Sequence, residues 1–263
     1  MALRPWSTIP ILEGGEPLVP LPPPLHRLEP HPYASLGAPY GDEACPFRLR
    51  QGVVERLLWA QRLLQGHEPG WRLAIFDAWR PVAVQRFMVA HAVAQTCRER
   101  ELDPEGSGAA WDRVREEVAA FWAPPSEDPA TPPPHSTGGA VDLTLASPGG
   151  EPLEMGGAID AIGAVSHPDH YAAAAAAAAA DPGGEASCWH RRRQLLAAVM
   201  TGAGFAQHPG EWWHFSWGDQ LWAWRSGQPQ AVYGRVGDGE GAGLAVSEPE
   251  GGWSCSSVVR EVT

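Results

Sequence analysis

An aromatic, strand-like run at residues 210–217 constrains this chain most, because it places two ionisable side chains in a segment suited to burial. Glu211 and His214 lie three residues apart, with Trp212 and Trp213 between them. Ionisable groups in such a run are costly unless a partner compensates them. One solution is a metal ion bound by His214, with Glu211 as a general base. The other is a Trp-rich core strand with a hydrogen-bonded histidine and an edge glutamate.

Composition and charge argue against several classes of partner. The chain has 263 residues, of which 44% are hydrophobic, enough for one catalytic-sized domain with appendages. Its formal net charge of -12 argues against nucleic acid and anionic membranes, since both demand basic patches. No basic start precedes an apolar N-terminal core, and no apolar run approaches the ~20 residues of a membrane helix. We therefore expect a soluble, cytoplasmic protein.

Proline, alanine and glycine divide the chain into segments. Residues 1–32 are Pro-rich and are predicted to wrap around a body without forming helices. Residues 33–234 are predicted to form the main domain, with an Ala-rich surface insertion at residues 172–184. Residues 235–263 are acidic and Gly-rich, and we expect a disordered tail.

Apolar periodicity in the main domain predicts both helices and strands. The predicted helices cover residues 49–66, 81–98, 109–122 and 189–202, and the predicted strands cover residues 71–77, 140–145 and 210–217. In the last helix, Arg191, Arg192 and Arg193 are predicted to form a solvated face. Arg80 follows a predicted strand and precedes a predicted helix. Such a corner often presents a functional side chain. Alternatively, Arg80 stabilises the turn by donating hydrogen bonds to backbone carbonyls.

Three residues supply the ligand types of a hydrolytic zinc site, which takes three protein ligands and keeps one position open. These residues are His135, Asp142 and His214. Asp142 lies inside a predicted strand, where an unpaired carboxylate is expensive and a metal or an arginine would compensate it. The glycine pair at residues 138–139 must bend the chain for His135 and Asp142 to point inward. Likewise, a turn or bulge must re-aim Glu211 towards His214.

Three motifs taken together resemble the VanX-type D-alanyl-D-alanine dipeptidases, zinc enzymes of peptidase family M15. The motifs are Asp77-Ala-Trp-Arg80-Pro, His135-Ser-Thr-Gly-Gly-Ala-Val-Asp142 and Glu211-Trp-Trp-His214. Their order and separations agree with the family, and the resemblance covers about residues 33–224. It implies an α+β fold with an antiparallel central sheet flanked by helices, with the zinc site on the sheet, as in the hedgehog domain and the D,D-peptidases.

The resemblance also implies a role for each matching residue. His135, Asp142 and His214 would bind one Zn²⁺ per chain, and Glu211 would be the catalytic base. Arg80 would polarise the scissile carbonyl.

Two further residues would bind substrate by the same resemblance. Asp160 falls where the family places a carboxylate that receives the free amino group of the substrate, and Tyr33 falls near the family's N-terminal pocket tyrosine. One departure concerns residues 132–134, which are prolines here, whereas family members carry serines just before the first zinc histidine. Proline offers neither a hydroxyl nor an N–H, so a substrate contact made there is absent or replaced.

The implied activity is zinc-dependent hydrolysis of the small dipeptide D-alanyl-D-alanine to two D-alanine molecules. One alternative keeps the zinc site in a D,D-carboxypeptidase or peptidoglycan endopeptidase, which would need an open groove. Another alternative is a non-catalytic zinc-binding interaction domain. Glu211 and Arg80 argue against this last reading, because a structural zinc site needs neither.

Overall fold

Two β-sheets and seven α-helices make up the part of the chain that the computed structural model describes, which comprises residues 4–41, 45–177 and 184–237. The strands are β1 (Leu18–Pro20), β2 (His26–Arg27), β3 (Arg48–Arg50), β4 (Arg72–Asp77), β5 (Ala140–Ala146), β6 (Ala206–Gln207) and β7 (His214–Ser216). The helices are α1 (Pro32–Ser35), α2 (Gln51–His67), α3 (Val82–Glu99), α4 (Ala109–Phe121), α5 (Ala172–Ala177), α6 (Glu185–Gly202) and α7 (Gln220–Ser226).

The larger sheet has five strands in the order β2-β4-β5-β7-β6. Strands β4, β5, β7 and β6 pair in antiparallel fashion, and β2 joins the edge beside β4 in parallel. The predicted α+β class, with helices flanking the sheet, is confirmed. The sheet is mixed at its edge instead of wholly antiparallel, because β2 pairs in parallel with β4. The sequence did not predict β2, because a strand of two residues is too short to show an alternation.

Strand β5 lies at the centre of this sheet, and all seven of its residues are buried. Its side chains alternate between the two faces. Val141, Leu143 and Leu145 point to one face, where they belong to the main hydrophobic cluster with residues of α2 and α6. Burying each such side chain stabilises the fold by roughly 1.5–3 kcal/mol. Asp142 therefore points to the opposite face, away from this core.

A second hydrophobic cluster joins α1, α3 and α4. It contains Tyr33 from α1, Val84 and Met88 from α3, and Val114 and Val118 from α4. The bounds of α3 and α4 agree with the periodicity of the sequence to within one residue. These helices form walls of the cavities that flank the sheet.

The N-terminal segment contributes strands to both sheets. Strand β1 pairs with β3 and β2 pairs with β4, while Leu21 and Leu25 enter the main hydrophobic cluster. The predicted division into segment, domain and tail stays a prediction. Helix α5 opens the predicted Ala-rich insertion, whose residues 178–183 lie outside the described residues, as does the predicted tail from residue 238 onward. Among the described helices, none is long and apolar enough to cross a membrane.

Candidate active site

Asp77, Asp142 and His214 form a row across three neighbouring strands. The pairing register places Asp142 on β5 opposite Asp77 on β4 and opposite His214 on β7. Residues directly opposite one another share a face of the sheet. A register shift between Ile75 and Asp77 adjusts the end of β4. The sheet therefore gathers three ionisable side chains at one place.

His135 joins this row from the loop before β5. It lies on a short 3-10 helix, Pro134–Thr137, and Gly138 follows it with a φ of 70°. Glycine adopts this left-handed conformation without strain, and a Cβ at Gly138 would lie 2.5 Å from Leu18 Cδ2. The predicted glycine bend is thus present, and it brings His135 beside Asp142.

His135, Asp142 and His214 form a compact set of candidate metal ligands. One nitrogen or oxygen atom from each lies within 4.8 Å of the others, and all three residues are buried. His135 Nε2 lies 3.1 Å from Asp142 Oδ2 and 3.2 Å from His214 Nδ1. His214 Nδ1 lies 2.9 Å from Asp142 Oδ1. Two imidazole nitrogens and a carboxylate are a donor set that suits zinc.

The far nitrogen of each histidine is held by a protein group. His135 Nδ1 lies 2.8 Å from the carbonyl oxygen of Ala78, which only accepts, so Nδ1 carries the proton and Nε2 a lone pair. His214 Nε2 lies 3.3 Å from Ser216 Oγ, and that hydroxyl donates to Asp219 Oδ2 at 2.7 Å. His214 Nε2 is therefore the donor, and its Nδ1 carries the lone pair. When both imidazoles are neutral in these tautomers, their two lone pairs face each other and fit a bound cation.

The charges of this cluster shift the pKa values of its members. Burial acts to raise the pKa of Asp142, but His135 and His214 outweigh it and hold that pKa well below its usual range. Burial acts to lower the pKa of His135, but the Asp142 carboxylate outweighs it and raises that pKa. The cluster is thus a buried carboxylate that stays ionised between two imidazoles, a suitable environment for a cation.

Glu211 lies in a turn before β7 and not in the strand. The chain turns at Pro209 and Gly210, and the strand covers only His214–Ser216, so it is shorter than predicted. The turn re-aims Glu211 so that its Oε2 lies 3.8 Å from His214 Nδ1. Its Oε1 lies 3.5 Å from Nδ1 of His208. Glu211 and His214 therefore face the same space, as a shared site requires.

Arg80 occupies the corner between β4 and α3. Its Nε and Nη2 donate to Asp77 Oδ2 at 3.0 and 2.7 Å, and its Nη1 donates to Gln85 Oε1 at 2.8 Å. Nη2 also lies 3.4 Å from Asp142 Oδ2. Burial acts to lower the pKa of Arg80, but Asp77 outweighs it and raises that pKa well above the usual value. These contacts join a permanently charged guanidinium to side chains of the site.

Tyr33 and Asp160, which are far apart in sequence, meet beside Arg80. Tyr33 Oη donates to Asp160 Oδ2 at 2.7 Å, and Arg80 Nη2 lies 3.3 Å from the same Oη. Asp160 has a φ of 65°, a left-handed conformation uncommon outside glycine. Burial and the nearby charge of Asp142 raise the pKa of Asp160 to about 7. Burial and Asp160 likewise raise the pKa of Tyr33.

A pocket of about 290 Å³ opens onto six of the seven predicted site residues. These six are Arg80, His135, Asp142, Asp160, Glu211 and His214. Tyr33 instead lines a neighbouring cavity of about 420 Å³, which also borders Asp160. The remaining pocket wall includes Trp122, the prolines at 132–134 and residues from the N-terminal segment. Tyr33 therefore reaches the pocket through Asp160.

Arg193 corrects one expectation, because it is buried and not part of a solvated face. Its exposed fraction is 1%. Its Nε donates to the carbonyl of Met155 at 2.8 Å, and its Nη1 donates to the carbonyls of Val165 and His167 at 3.0 Å. Arg193 thereby ties together both ends of the loop that carries Asp160. Its helical spacing to the apolar residues 196 and 200 is the sequence signal that indicates this burial.

The sheet and pocket define an α+β protein with a candidate metallopeptidase site. The chain matches the Peptidase_M15 family model, described as D-ala-D-ala dipeptidase, over residues 26–231. A D-alanyl-D-alanine dipeptidase of Synechocystis sp. is 44% identical over 246 residues, which cover 89% of this chain and 97% of that protein. A D-alanyl-D-alanine dipeptidase of Escherichia coli is 41% identical over 81 residues, which cover 31% of this chain and 36% of that protein.

This chain belongs to the D-ala-D-ala dipeptidase family, Peptidase_M15. The family predicted from the three sequence motifs is therefore confirmed.

Proposed function

We propose that this chain is a zinc-dependent dipeptidase that hydrolyses D-alanyl-D-alanine to two molecules of D-alanine. The observation that carries the proposal is the convergence of His135, Asp142 and His214 within 4.8 Å, in a pocket that Glu211 and Arg80 also line. Family membership and the names of the two relatives support the substrate. The net charge of -12 supports a small-molecule partner over nucleic acid or a membrane surface.

One zinc ion would be held by His135 Nε2, His214 Nδ1 and a carboxylate oxygen of Asp142. These atoms suit the role because both imidazoles are oriented by their far nitrogens. When bound to such a set, zinc supplies Lewis acidity and lowers the pKa of water to about 7.

Glu211 is the general base in this proposal. Its carboxylate takes a proton from the attacking water and returns it to the amine of the leaving D-alanine. Burial, followed by the charges of Asp142 and Asp160, raises the pKa of Glu211 well above its usual value. A raised pKa strengthens a carboxylate as a base, and a cation at the neighbouring ligands would lower that pKa again towards the working pH.

Arg80 donates to the carbonyl oxygen of the scissile bond as negative charge develops there. Asp77 and Gln85 fix the direction of its guanidinium before substrate binds. A preorganised donor needs no rearrangement at the moment of reaction, and loss of one such donor typically costs ~10²–10³ in rate.

Asp160 binds the free amino group of the substrate. It lines the pocket, while Tyr33 lies behind it and donates to it. We therefore assign the substrate contact to Asp160 and a positioning role to Tyr33. A pocket that requires a free amine near the scissile bond would select dipeptides over the internal bonds of longer chains.

The two alternative functions have less support. A carboxypeptidase or endopeptidase needs an extended open groove, whereas the described residues line a pocket of about 290 Å³. A non-catalytic zinc domain has no use for a buried glutamate and arginine beside the ligands, given the cost of burying them.

The test is the release of D-alanine from D-alanyl-D-alanine by purified protein loaded with zinc. We expect release from the wild type. We expect a fall of several orders of magnitude in Glu211→Gln, a variant that keeps the shape of the side chain, with zinc content unchanged. A wild-type protein that binds zinc in a 1:1 ratio but releases no D-alanine would contradict the proposal.

A further inference from the structure

An arginine from outside the region matched by the family model lines the pocket. That model begins at residue 26, yet Arg4, Trp6 and Ser7 are part of the pocket lining. We call residues 4–7 the N-terminal wall. Arg4 Nη1 and Nη2 donate to the carbonyls of Ala120 and Ala119 at 2.9 and 3.0 Å. These carbonyls end α4, where helical acceptors lack intrahelical donors.

The rest of the N-terminal wall is anchored to residues near the candidate site. The Trp6 ring packs edge-on against the ring of His208, with centroids 5.5 Å apart, and His208 in turn lies beside Glu211. Gln220 Nε2 donates to the carbonyl of Ser7 at 3.4 Å and to that of Ile9 at 2.6 Å. The N-terminal wall is therefore a fixed part of the pocket, and Arg4 has a defined place in it.

The pocket needs a cation for one end of the proposed substrate. A free dipeptide is a zwitterion, and its amino group is assigned to Asp160. Among the pocket-lining residues of the described chain, the arginines are Arg4 and Arg80, and there is no lysine. Arg80 already binds Asp77 and Gln85 and is assigned to the scissile carbonyl.

Arg4 has N–H donors that no described residue accepts, unlike the prolines that line the same pocket. A guanidinium has five N–H donors, and two nitrogens of Arg4 each donate to a carbonyl at the end of α4. Residues 132–134 are prolines and supply neither an N–H nor a hydroxyl. Arginine stays charged at every physiological pH and matches the planar geometry of a carboxylate.

We propose that Arg4 binds the C-terminal carboxylate of the dipeptide substrate and thereby selects free dipeptides over substrates extended or blocked at that end. The inference rests on the proposed function. In this arrangement Arg4 is a specificity-determining residue, and the N-terminal wall replaces the donors that the prolines lack.

The test compares D-alanyl-D-alanine with its C-terminal amide as substrates of the zinc-loaded full chain. kcat and KM are measured for the wild type, Arg4→Gln and Arg4→Lys. Arg115→Gln is the matched control, because it removes one exposed positive charge from α4, the helix whose end Arg4 contacts, outside the pocket. The ratio of kcat/KM for the acid to that for the amide is taken within each variant, so a loss of folded protein cancels.

We expect the wild type and Arg115→Gln to prefer the free acid strongly. Arg4→Gln should raise KM for the acid roughly 10- to 100-fold, with kcat nearly unchanged and little effect on the amide. Arg4→Lys should keep an intermediate preference. An unchanged acid-to-amide ratio in Arg4→Gln would overturn the inference and leave the dipeptidase function standing. A wild type that hydrolyses neither substrate would overturn both.

Discussion

His135 Nε2 lies 3.2 Å from His214 Nδ1, and the opposite nitrogen of each ring is held by a group of the protein. When neutral in these tautomers, the two rings point their lone pairs at each other beside the carboxylate of Asp142. The stability of this centre should depend on a cation, because a ligand that binds only the folded state stabilises it by mass action.

Removal of metal should lower the melting temperature of the protein. Zinc at 100 to 1,000 times its dissociation constant contributes about 3–4 kcal/mol, and Asp142→Asn should lose most of this effect because it lacks the ligand charge. Differential scanning calorimetry with a chelator, followed by added zinc, measures the change. Glu211→Gln is the control, since it keeps all three ligands. A wild-type melting temperature that does not respond to zinc would contradict the prediction.

The tie between His214 and its supporting groups should affect zinc affinity. Ser216→Ala removes the hydroxyl that joins His214 Nε2 to Asp219. Loss of such a partner typically weakens metal binding 10- to 100-fold, measurable by competition with a chromophoric chelator. Ser226→Ala removes an exposed hydroxyl that, among the described residues, bonds a helix carbonyl alone, and it should leave zinc affinity unchanged. Equal affinity in both variants would argue against an orienting role for Ser216.

Asp160 should make the metal-free protein less stable as pH rises. Its pKa is raised to about 7 in the folded state from about 3.9 in an unfolded chain. The folded state therefore holds the proton more tightly, and this contribution is present below pH ~4 and lost as pH rises through ~7. Between pH ~4 and ~7, the melting temperature of metal-free Asp160→Asn should fall less than that of the metal-free wild type. Parallel curves for the two proteins would show that Asp160 does not titrate in this way.

Arg193→Ala should destabilise the protein by roughly 3–5 kcal/mol, since one buried and two partly buried carbonyl contacts lose a charged donor. Because the loop that carries Asp160 loses its clamp, KM for the dipeptide should rise more than kcat falls. Urea denaturation and steady-state kinetics measure the two effects. Arg191→Ala, an exposed neighbour on the same helix, should stay within about 0.5 kcal/mol of wild type. Similar losses of unfolding free energy in Arg193→Ala and Arg191→Ala would contradict the role of Arg193 as a clamp on the loop.

Gly138→Ala should cost more than Gly227→Ala, although both residues have nearly the same conformation. Their φ angles are 70° and 66°, but a Cβ at Gly138 would meet Leu18 Cδ2 at 2.5 Å, whereas a Cβ at Gly227 would meet no atom of the described residues within 4 Å. Both variants should be destabilised by about 1 kcal/mol, because alanine is strained at a positive φ. Only Gly138→Ala should also lose zinc through displacement of His135. Urea denaturation and zinc content separate the two costs. Equal values at both sites would refute the role of the bend.

Helices α3 and α4 and the clustering of the candidate ligands could be predicted because each leaves a local signal. α3 and α4 show apolar residues at helical spacing, which fixes their bounds. Asp142 stands out as a carboxylate inside an apolar strand, so a partner had to be expected. Its partners are His135, His214 and Arg80.

Other features could not be predicted because they depend on contacts between distant residues. Arg4 has no local signal, and it reaches the pocket through carbonyls more than 100 positions away. Glu211 lies outside β7 because the turn at Pro209 and Gly210 delays the start of the strand to His214, although the aromatic pattern already begins at Trp212. The run of three arginines indicates a solvated face, and only the packing of α6 separates buried Arg193 from exposed Arg191.

The row of Asp77, Asp142 and His214 also protects the sheet from misassembly. A slip of β5 by one residue would turn Asp142 into the hydrophobic core and bring Val141 or Leu143 to the opposite face. The slipped arrangement would bury a charge without a partner and expose apolar surface, and both effects would raise its free energy. Competing strand alignments are therefore destabilised by the same aspartate that contacts the two histidines, so a residue proposed to bind metal also guides folding to a single pairing.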